Sequence, residues 1–532
     1  MSEFSVIGRR LPKVNSWAHL TGEARYADDL FLPRMLYGRV LRSTRPHARI
    51  RRVDTGRALA YPGVVAVVTG ADMPEKMGIM PSTQDETALA VDRVRYVGEP
   101  VAAVAALDED IAFDALSLIQ VDYEDLEPIF TIEEALERED VKIHDEAKRA
   151  NVFKEVHLSF GDLEGGFAAA DHVRDDWFFF EGNTHAPIES HSAVASYGPD
   201  DKLTLWTATQ VPHYLHRELE KVLGLPRSRI RVIATPNGGA FGGKSDPFGH
   251  EFAAALLSIR TRRPVKITLD REEVFYAHRG RHPVKMRIRT GVKKDGEITA
   301  VHYQSWLDGG AYASYGIATT YYTGALLTVT YRIPAYKFDG VRVYTNKPPC
   351  GPKRGHGTTQ PRYGFECQID KIAEDLDLDP LEYRKKILQP ANSRTVNDLR
   401  ITSMGLGECL DALQRSTRYS ERRGQLGRGK GIGLAGSAYI SGAGLPIYWN
   451  EMPHSGAEIR IDRGGGVTVM CGTSEIGQGS DNMLASVAAE ALGVMPADVH
   501  VVSGDTSLAP VELAATRVAS RSWPAMRSGM RR

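Results

Sequence analysis

A glycine-rich run in the middle of the sequence could bring the backbone close to a phosphate group. Its residues, Gly238-Gly239-Ala240-Phe241-Gly242-Gly243-Lys244-Ser245, match the spacing of a nucleotide-binding P-loop letter for letter. Pro247, however, stands where a helix should leave such a loop, and the strand expected at 265–270 alternates polar and apolar residues. The run therefore predicts close approach of the backbone to a ligand. A P-loop NTPase is kept as an alternative function.

A second glycine-rich loop lies at Glu475-Ile476-Gly477-Gln478-Gly479-Ser480. It falls between a predicted strand and a predicted helix. Backbone amides at the start of a helix favour an anion such as a phosphate. A tight turn explains the same glycines equally well, so both interpretations stay open.

Residues that often bind metals or act as nucleophiles occur in two further segments. In an extended chain at ~3.3 Å per residue, His185 and Glu189 would lie ~13 Å apart, too far to share one metal ion. We therefore expect structural hydrogen bonds there. In the segment Lys347–Pro361, Arg354 could clamp an anion. Cys350 has only His356 nearby in sequence, so we expect it to pack in the loop rather than act as a nucleophile.

Strands and helices must position these loops, and hydrophobic periodicity predicts both. Alternation predicts strands at Leu203–Thr209 and Arg229–Ala234, with an amphipathic helix at 215–223 between them. Asp295-Gly296 between apolar segments predicts a hairpin. The polar, arginine-rich stretch at 391–430 predicts a linker. The other predicted elements are strands at 96–106 and 120–129, helices at 109–118, 252–259, 369–376 and 483–492, and a second hairpin at 457–471.

Length and composition narrow the classes of protein. The chain has 532 residues, of which 42% are hydrophobic and 25% charged, with a formal net charge of −1. These values are typical of a multidomain globular protein and give no electrostatic signal for nucleic acid. The apolar runs are far shorter than the ~20 residues that span a membrane, and no signal peptide is predicted. We predict a cytoplasmic protein without nucleic-acid or membrane partners.

The cysteines are dispersed along the chain at Cys350, Cys367, Cys409 and Cys471. None lies in a C-x-x-C pair. A disulfide framework, a zinc ribbon or an iron–sulfur cluster held by this chain alone is therefore not expected.

Several short motifs, taken in order along the chain, resemble one family. They are Thr21-Gly22-Glu23-Ala24-Arg25-Tyr26, Tyr96-Val97-Gly98-Glu99-Pro100, the segment from His185 to His191, Thr209-Gln210-Val211-Pro212-His213, the segment from Gly239 to Lys244, Arg354-Gly355, and the segment from Glu475 to Gly479. The family is that of the molybdenum hydroxylases, the large-subunit group of xanthine dehydrogenase and aldehyde oxidase. The loop Asn346–Arg362 is similar to a narrower group, the α subunit of 4-hydroxybenzoyl-CoA reductase. Gly355 stands where the carbon monoxide dehydrogenase branch has a cysteine, which disfavours that branch.

The resemblance implies an α+β fold with three domains. These are an N-terminal α/β hammerhead domain at 15–130, a first molybdopterin-binding domain at 150–395, and a second, incomplete one at 415–532. It also implies molybdenum held by a pterin as the cytosine dinucleotide, with no side chain as a direct metal ligand. By motif, Gln210, Phe241 and Arg354 would surround the molybdenum, and Tyr322 would contact the substrate. The implied cofactor-binding residues are Gly239, Ala240, Phe241, Gly242, Gly355, Gly477, Gln478 and Gly479.

The implied function is that of the catalytic subunit of an oxidoreductase. The narrower similarity predicts reductive dehydroxylation of 4-hydroxybenzoyl-CoA or a similar aromatic acyl-CoA. The alternative is oxidative hydroxylation of a purine, another N-heterocycle or an aldehyde. The resemblance further implies a [2Fe–2S] partner subunit and an FAD-binding partner subunit, assembled as a dimer of heterotrimers.

The sequence departs from the family towards its C-terminal end. Family members run longer, with a glutamate general base in a Gly-x-Gly-Glu context, whereas the last glutamate here is Glu512, followed by Leu513. Residues 515–527 do not resemble the family, but one back-translation of them in a shifted reading frame does. We hypothesise a frameshift near Leu513, which predicts non-native residues after about 514. An inactive remnant is therefore a further alternative.

Overall fold

The computed structural model describes residues 4–146, 149–277, 279–439 and 456–512. The first described range consists mainly of short strands with four helices. Its elements are α1 (Ser16–Thr21), β1 (Leu36–Arg42), β2 (Ala48–Asp54), α2 (Gly56–Leu59), β3 (Val64–Thr69), β4 (Lys76–Met77), β5 (Glu86–Thr87), β6 (Arg93–Val94), β7 (Pro100–Ala106), α3 (Glu109–Leu116), β8 (Gln120–Asp125) and α4 (Ile132–Glu137).

The middle of the chain supplies the longer strands and helices. They are β9 (Val152–Phe160), α5 (Leu163–Ala168), β10 (His172–Phe180), β11 (Ser192–Tyr197), β12 (Leu203–Thr207), α6 (Pro212–Leu223), β13 (Ile230–Ala234), α7 (Gly249–Thr261), β14 (Val265–Thr268), α8 (Arg271–Ala277), β15 (Val284–Val292), β16 (Ile298–Asp308), α9 (Gly316–Ala325), β17 (Tyr336–Val343), α10 (Thr359–Asp375), α11 (Pro380–Ile387), β18 (Ser393–Arg394) and β19 (Arg400–Ile401).

The last part of the chain forms a small α/β unit preceded by two helices. Its elements are α12 (Leu406–Thr417), α13 (Tyr419–Arg422), β20 (Ala457–Ile461), β21 (Val467–Cys471), α14 (Ser480–Leu492) and β22 (Val499–Ser503). Short 3₁₀ helices lie at Gly70–Asp72, Arg227–Arg229, Leu327–Val329 and Pro496–Asp498.

A seven-stranded sheet positions the first glycine-rich run. Its order is β13-β12-β11-β14-β1-β7-β3, so strands from the first 110 residues and from 192–268 share one sheet. β12 and β13 run parallel, with Thr207 opposite Ala234. The chain therefore leaves both strands at the same edge of the sheet, and residues 209–210 lie beside residues 235–238. Helices α6 and α7 cover the sheet and bury its main apolar core.

A five-stranded sheet supports the loop that contains Arg354. Its order is β10-β15-β16-β17-β9, and β15 and β16 form the hairpin predicted around Asp295-Gly296. Helix α10 packs on β10 and β15 and buries a second core that includes Phe365, Ile369 and Ile372. The loop at 344–358 connects β17 to α10, so its two ends are fixed by this sheet and this helix.

The small C-terminal unit docks on the edge strand β13. Ala234 donates a backbone hydrogen bond to Gly504 at 2.9 Å, and Val232 donates to the Thr506 hydroxyl at 2.9 Å. Arg231 forms an ion pair with Asp505 at 2.5 Å. These contacts bring the second glycine-rich loop to the same side of the molecule as the first.

Most predicted elements are present with boundaries moved by a few residues, except that the helix predicted at 369–376 begins ten residues earlier, at Thr359. The mixed α and β fold class, both hairpins, and the helices at 109–118, 252–259, 369–376 and 483–492 are confirmed. The linker predicted at 391–430 is wrong in part, because α12 and α13 occupy residues 406–422. Leu406, Leu410 and Leu413 recur at helical spacing and pack in a small apolar cluster with α11. In the described ranges, no helix is long and apolar enough to cross a membrane.

Candidate functional site

Gln210 occupies a buried position directly after β12, with 1% of its surface exposed. Its side-chain oxygen accepts hydrogen bonds from the Gly242 amide at 2.9 Å, the Lys244 amide at 3.3 Å and the Ser245 hydroxyl at 3.2 Å. Three donors fix the orientation of the amide group, so its nitrogen must point away from them. That nitrogen is buried and has no hydrogen-bond partner within the described ranges. A buried, oriented donor of this kind fits a ligand oxygen.

The turn that carries Phe241 adopts a backbone that is unusual for a side-chain-bearing residue. Phe241 has φ +55°, between Gly239 at +100° and Gly242 at +102°. A Cβ on Gly242 would lie 2.5 Å from the Pro352 carbonyl oxygen, so at this position the two loops approach backbone to backbone. Ala240 is fully buried, whereas the Phe241 ring is 42% exposed. The turn therefore presents one aromatic ring at the mouth of the site.

Arg354 lies beside that ring. Its backbone amide donates to the Phe241 carbonyl at 2.9 Å, and its guanidinium carbon is 5.5 Å from the centre of the Phe241 ring. Gly355 follows with φ +83° and accepts the amide of Thr358 at 2.9 Å. The structure thus brings Gln210, Phe241 and Arg354 together through a short chain of hydrogen bonds.

Tyr322 lies deeper than the prediction of substrate contact suggests. It is on α9 and is 4% exposed. Its ring is 5.9 Å from that of His356, and a Cβ on Gly357 would lie 2.9 Å from the Tyr322 Cβ. Tyr322 therefore supports the back of the Arg354 loop, and its contact with substrate stays a prediction.

The second glycine-rich loop has its amide groups occupied by the chain itself. The Glu475 carboxylate accepts from the amides of Gly477 at 2.7 Å, Gly479 at 3.0 Å and Asp481 at 3.1 Å. The Gln478 amide donates to the Ser474 carbonyl at 2.9 Å. An anion does fit the start of α14, as the sequence predicts, but here it is a carboxylate of the protein. This loop forms no hydrogen bond with Gln210, Phe241 or Arg354 in the described part of the chain.

A set of buried polar atoms that the sequence analysis missed lines the seam between the two glycine-rich loops. A Cβ on Gly504 would lie 2.9 Å from the Ala234 Cβ and 3.4 Å from the Ser474 hydroxyl oxygen. Asn237 donates to the carbonyl of Thr209, the neighbour of Gln210. Along this seam, four side chains have a buried atom that lacks a partner among the described residues, and each is at most 8% exposed: His213, Thr235, Asn237 and Ser474.

These unpartnered atoms test whether the site fits a pterin cofactor. A pterin presents amide, amine and ring-nitrogen edges, and hydroxyl, amide and imidazole groups match them as donors and acceptors. Together with the Gln210 side-chain nitrogen, these buried atoms form a set of donors and acceptors that the described residues do not satisfy. The residues present therefore fit the group. The polar residues directly after β13 were the sequence signal that could have revealed this seam. Ser474, on the other side of the seam, is more than 200 positions away in the sequence.

The P-loop alternative is contradicted by the position of Lys244. Its side chain is 1% exposed, and its ammonium group forms an ion pair with Glu189 at 2.6 Å. The Ser245 hydroxyl is bound to Gln210, and the next helix begins only at Gly249. A P-loop lysine must be free to reach a phosphate, whereas Lys244 is buried in its ion pair with Glu189.

The other candidates for chemistry have structural roles. His185 is hydrogen-bonded to the Pro352 carbonyl at 2.7 Å and His191 to the Gly243 carbonyl at 3.1 Å, so the structural hydrogen bonds predicted for this segment are present. Across the described ranges, no cluster of histidine, cysteine, aspartate and glutamate could hold a metal ion. Cys350 is buried, and burial raises the pKa of its thiol to about 12, which suits packing rather than nucleophilic attack. The hypothesised frameshift concerns residues 513–532, outside the described ranges.

Comparison with known proteins assigns family models to most of the chain. The model of the aldehyde oxidase and xanthine dehydrogenase a/b hammerhead domain matches residues 21–127. Two models of a molybdopterin cofactor-binding domain match residues 143–388 and 408–531.

Individual relatives and solved structures agree with these models. The chain is 35% identical to a probable xanthine dehydrogenase subunit of Bacillus subtilis, over 95% of this chain and 68% of that protein. It is 38% identical to the nicotinate dehydrogenase large molybdopterin subunit of Eubacterium barkeri, over 72% of this chain and 89% of that protein. Its fold is similar to quinoline 2-oxidoreductase from Pseudomonas putida 86, with a TM-score of 0.89 and 30% identity, over 96% of this chain and 69% of that one.

Proposed function

Since the chain belongs to the molybdenum hydroxylase large-subunit family of xanthine dehydrogenases and aldehyde oxidases, we propose that it hydroxylates an N-heterocycle, a purine or an aldehyde. Members of this family are molybdenum-dependent oxidoreductases that bind a molybdopterin cofactor. The architecture is a hammerhead domain followed by molybdopterin-binding domains. The names of the relatives support the choice of reaction, because they specify xanthine, nicotinate and quinoline.

One observation carries the proposal: the side-chain nitrogen of Gln210 is buried and oriented in the group that includes Phe241 and Arg354, and it has no hydrogen-bond partner among the described residues. Hydroxylation replaces a substrate C–H bond by a C–OH bond; water supplies the oxygen, and two protons and two electrons leave. When bound, the molybdenum cofactor supplies the two-electron acceptor. Gln210 would donate a hydrogen bond to an oxygen of that group, at a position where Gln210 itself is buried. The Phe241 ring would orient a flat substrate by stacking.

The electrons must leave through partners. The relatives named as subunits support a multi-subunit assembly. A [2Fe–2S] subunit, an FAD-binding subunit, the cytosine dinucleotide form of the cofactor and a dimer of heterotrimers are part of this proposal. The dispersed cysteines agree with it, since no two of the four lie close in sequence.

A second candidate reaction is the reductive dehydroxylation of 4-hydroxybenzoyl-CoA or a similar acyl-CoA. The observation in its favour is the cationic loop at Lys353 and Arg354, which suits a ligand with several negative charges. We rank it second, because the names of the relatives specify heterocyclic substrates.

The proposal is tested on the chain co-expressed with its partner subunits. We expect about one molybdenum per chain, cytidine monophosphate on acid hydrolysis of the cofactor, and dye-linked oxidation of a panel of purines, pyridines, quinolines and aldehydes. Gln210→Glu keeps an oxygen for the three donors but replaces the free donor by an acceptor. It should lower turnover per molybdenum about 10- to 100-fold.

The matched control is Gln425→Glu, an exposed glutamine on the surface, which should leave turnover unchanged. Molybdenum-loaded protein that reduces 4-hydroxybenzoyl-CoA and oxidises none of the panel would reverse the ranking of the two reactions. Protein that never binds molybdenum would contradict both and favour an inactive remnant.

A further inference from the structure

Two chain segments run side by side at the mouth of the site and bring three cations together. Gly280 pairs with Cys350 in a parallel bridge, and the Gly351 amide donates to the Gly280 carbonyl at 2.9 Å. Arg281 follows Gly280 directly, and Lys353 and Arg354 lie three and four residues after Cys350. The Arg281 guanidinium donates to the Arg354 carbonyl at 2.5 Å.

Asn183 links the same two segments from a third direction. The Arg281 amide donates to the Asn183 carbonyl at 2.9 Å, and the Lys353 ammonium donates to the Asn183 side-chain oxygen at 2.6 Å. The Arg354 guanidinium lies over the Phe241 ring. Lys353, bonded to Asn183, and Arg354, over the Phe241 ring, therefore both lie beside the candidate site.

These three cations lack the carboxylates that neutralise neighbouring arginines. Arg279, two residues before Arg281, forms ion pairs with Asp246 and Glu86. Within the part of the chain that the structure describes, no carboxylate forms an ion pair with Arg281, Lys353 or Arg354. Burial lowers the pKa of Arg281 to about 10, with repulsion from Arg354 adding to the shift. Burial and the same two arginines lower the pKa of Lys353.

We propose that Lys353 and Arg354 bind the anionic group of the substrate, with Arg281 as a positioning residue behind them. This inference rests on the proposed function only for the location of the reacting centre. An anion would offset the repulsion among the three cations, which is strongest where water is excluded. Arg354 offers a planar pair of donors that matches a carboxylate or phosphate, and Lys353 adds a compact charge. The substrate is thus an aromatic compound with a negatively charged substituent.

The anion can have two sources, a carboxylate on the ring or the phosphates of an acyl-CoA, and binding experiments separate them. Isothermal titration of the molybdenum-loaded complex would compare pyridine-3-carboxylate with pyridine-3-carboxamide. A second pair would be 4-hydroxybenzoyl-CoA and the pantetheine thioester of the same acid, which lacks the adenosine phosphates. The anionic member of one pair should bind about tenfold more tightly or better, and added salt should reduce the difference.

Variants then assign the preference to the cluster. Lys353→Met should remove about a tenfold preference for the anionic ligand and leave the binding of the neutral one unchanged. Lys353→Arg should retain the preference. Lys294→Met is the control, since it removes the same charge from an exposed lysine that forms no ion pair in the described structure.

Each outcome decides the proposal. Loss of preference for pyridine-3-carboxylate supports a ring carboxylate, and loss of preference for the CoA ester alone supports a phosphate. Equal affinities for both members of both pairs would overturn the proposal. Loss of molybdenum or of the nucleotide in Lys353→Met would also overturn it, because the cluster would then bind the cofactor. Tight anion binding without turnover would support the cluster while contradicting the proposed reaction.

Discussion

At the scale of single residues, Glu251 makes the stability of the protein depend on pH. It is a buried side chain in the first turn of α7, directly after the turn that carries Phe241. Burial raises the pKa of its carboxyl from 4.5 to about 7. One oxygen accepts the Phe248 amide at 2.8 Å, and the other lies 2.8 Å from the Thr207 hydroxyl, which itself donates to Ser192. The protonated form satisfies all these groups, since its O–H donates to Thr207.

The sign of the pH dependence follows from the raised pKa. The folded state binds the proton more tightly than the unfolded state, so the stability that this group contributes is full below about pH 4.5. It decreases as pH rises and is lost above about pH 7. Glu251→Gln copies the protonated form, with nitrogen donating to Thr207 and oxygen accepting from Phe248.

We expect Glu251→Gln to be more stable than the native protein at pH 8, by roughly 3 kcal/mol, and equally stable at pH 4. Urea unfolding at both pH values would measure the difference. Glu408→Gln, on the exposed face of α12, controls for the change in net charge. An unchanged pH dependence in Glu251→Gln would show that Glu251 does not cause it.

Single residues also show where sequence reasoning ends. Phe241 and Arg354 lie in short runs of unusual composition and are found from them, whereas Gln210 is found only because Thr209–His213 resembles the family motif. Sequence patterns do not identify Arg281, nor the buried atoms of Thr235, Asn237 and Ser474 that lack a partner among the described residues. The role of each of these groups depends on contacts with residues tens to hundreds of positions away in the sequence. A local sequence pattern does not encode such a contact. Glu475 is a related case, because the motif predicts an anion at its amides but not which anion.

At the scale of elements, an ion pair fastens the turn at 238–245 to the segment at 185–191. The Glu189 carboxylate accepts from the Lys244 ammonium at 2.6 Å and from the Gly238 amide at 2.8 Å. Arg271 holds the same segment through the carbonyls of Pro187 and Ile188. Lys244, which completes the match to the P-loop pattern, therefore stabilises the turn that carries Phe241 through a buried ion pair.

Lys244→Met should destabilise the protein by about 3–5 kcal/mol, because it leaves the Glu189 carboxylate buried without its counter-charge. The double variant Glu189→Leu with Lys244→Met should recover much of that loss, since it removes both charges together. Chemical unfolding of the two single variants and the double variant measures the coupling. ATP binding abolished by Lys244→Met with stability unchanged would instead favour the P-loop interpretation.

Helices and strands with a clear hydrophobic periodicity are predicted well from the sequence. Those that lie in a stretch of linker-like composition are not. The hairpin at Asp295-Gly296 has both a turn signal and flanking alternation, so its register follows from the sequence. Helix α12 lies in a stretch whose arginines and glycines suggest a linker, although Leu406, Leu410 and Leu413 lie at helical spacing. The composition of this stretch is typical of a linker, whereas its hydrophobic periodicity indicates the helix that is present.

At the scale of the whole molecule, one sheet and one N-terminal segment join regions that are predicted from the sequence as separate domains. β1 pairs with β14 across more than 200 residues, so the hammerhead region and the first cofactor-binding region share the seven-stranded sheet. Val6 packs in the apolar core of the C-terminal unit. Neither pairing has a local signal, because strands β1 and β14 have patterns that fit many partners.

The N-terminal segment should be held on the C-terminal unit chiefly by Glu490. Its carboxylate accepts the amides of Ser5 at 3.1 Å, Val6 at 2.6 Å and Ile7 at 3.1 Å. These bonds, with the Val6 amide first, lower the pKa of Glu490 to about 2. The contribution of this group is therefore present above its ordinary pKa of 4.5 and is lost as pH falls towards 2. A glutamine offers one accepting oxygen for three amides, so Glu490→Gln should speed hydrogen exchange at residues 5–7 severalfold at pH 7.

Exchange followed by mass spectrometry on peptides that cover residues 4–14 and α14 would measure this. Glu458→Gln, on the exposed strand β20 of the same unit, should leave exchange at residues 5–7 unchanged. Acidification of the native protein from pH 5 to pH 2.5 should imitate the Glu490→Gln variant, after correction for the intrinsic pH dependence of exchange.

Because α14 starts at the Gly477–Gly479 loop, faster exchange that spreads from residues 5–7 into the first turn of α14 would couple the N-terminal segment to the cofactor seam. Protection at residues 5–7 that survives Glu490→Gln would mean that packing of Val6 alone holds the segment in place.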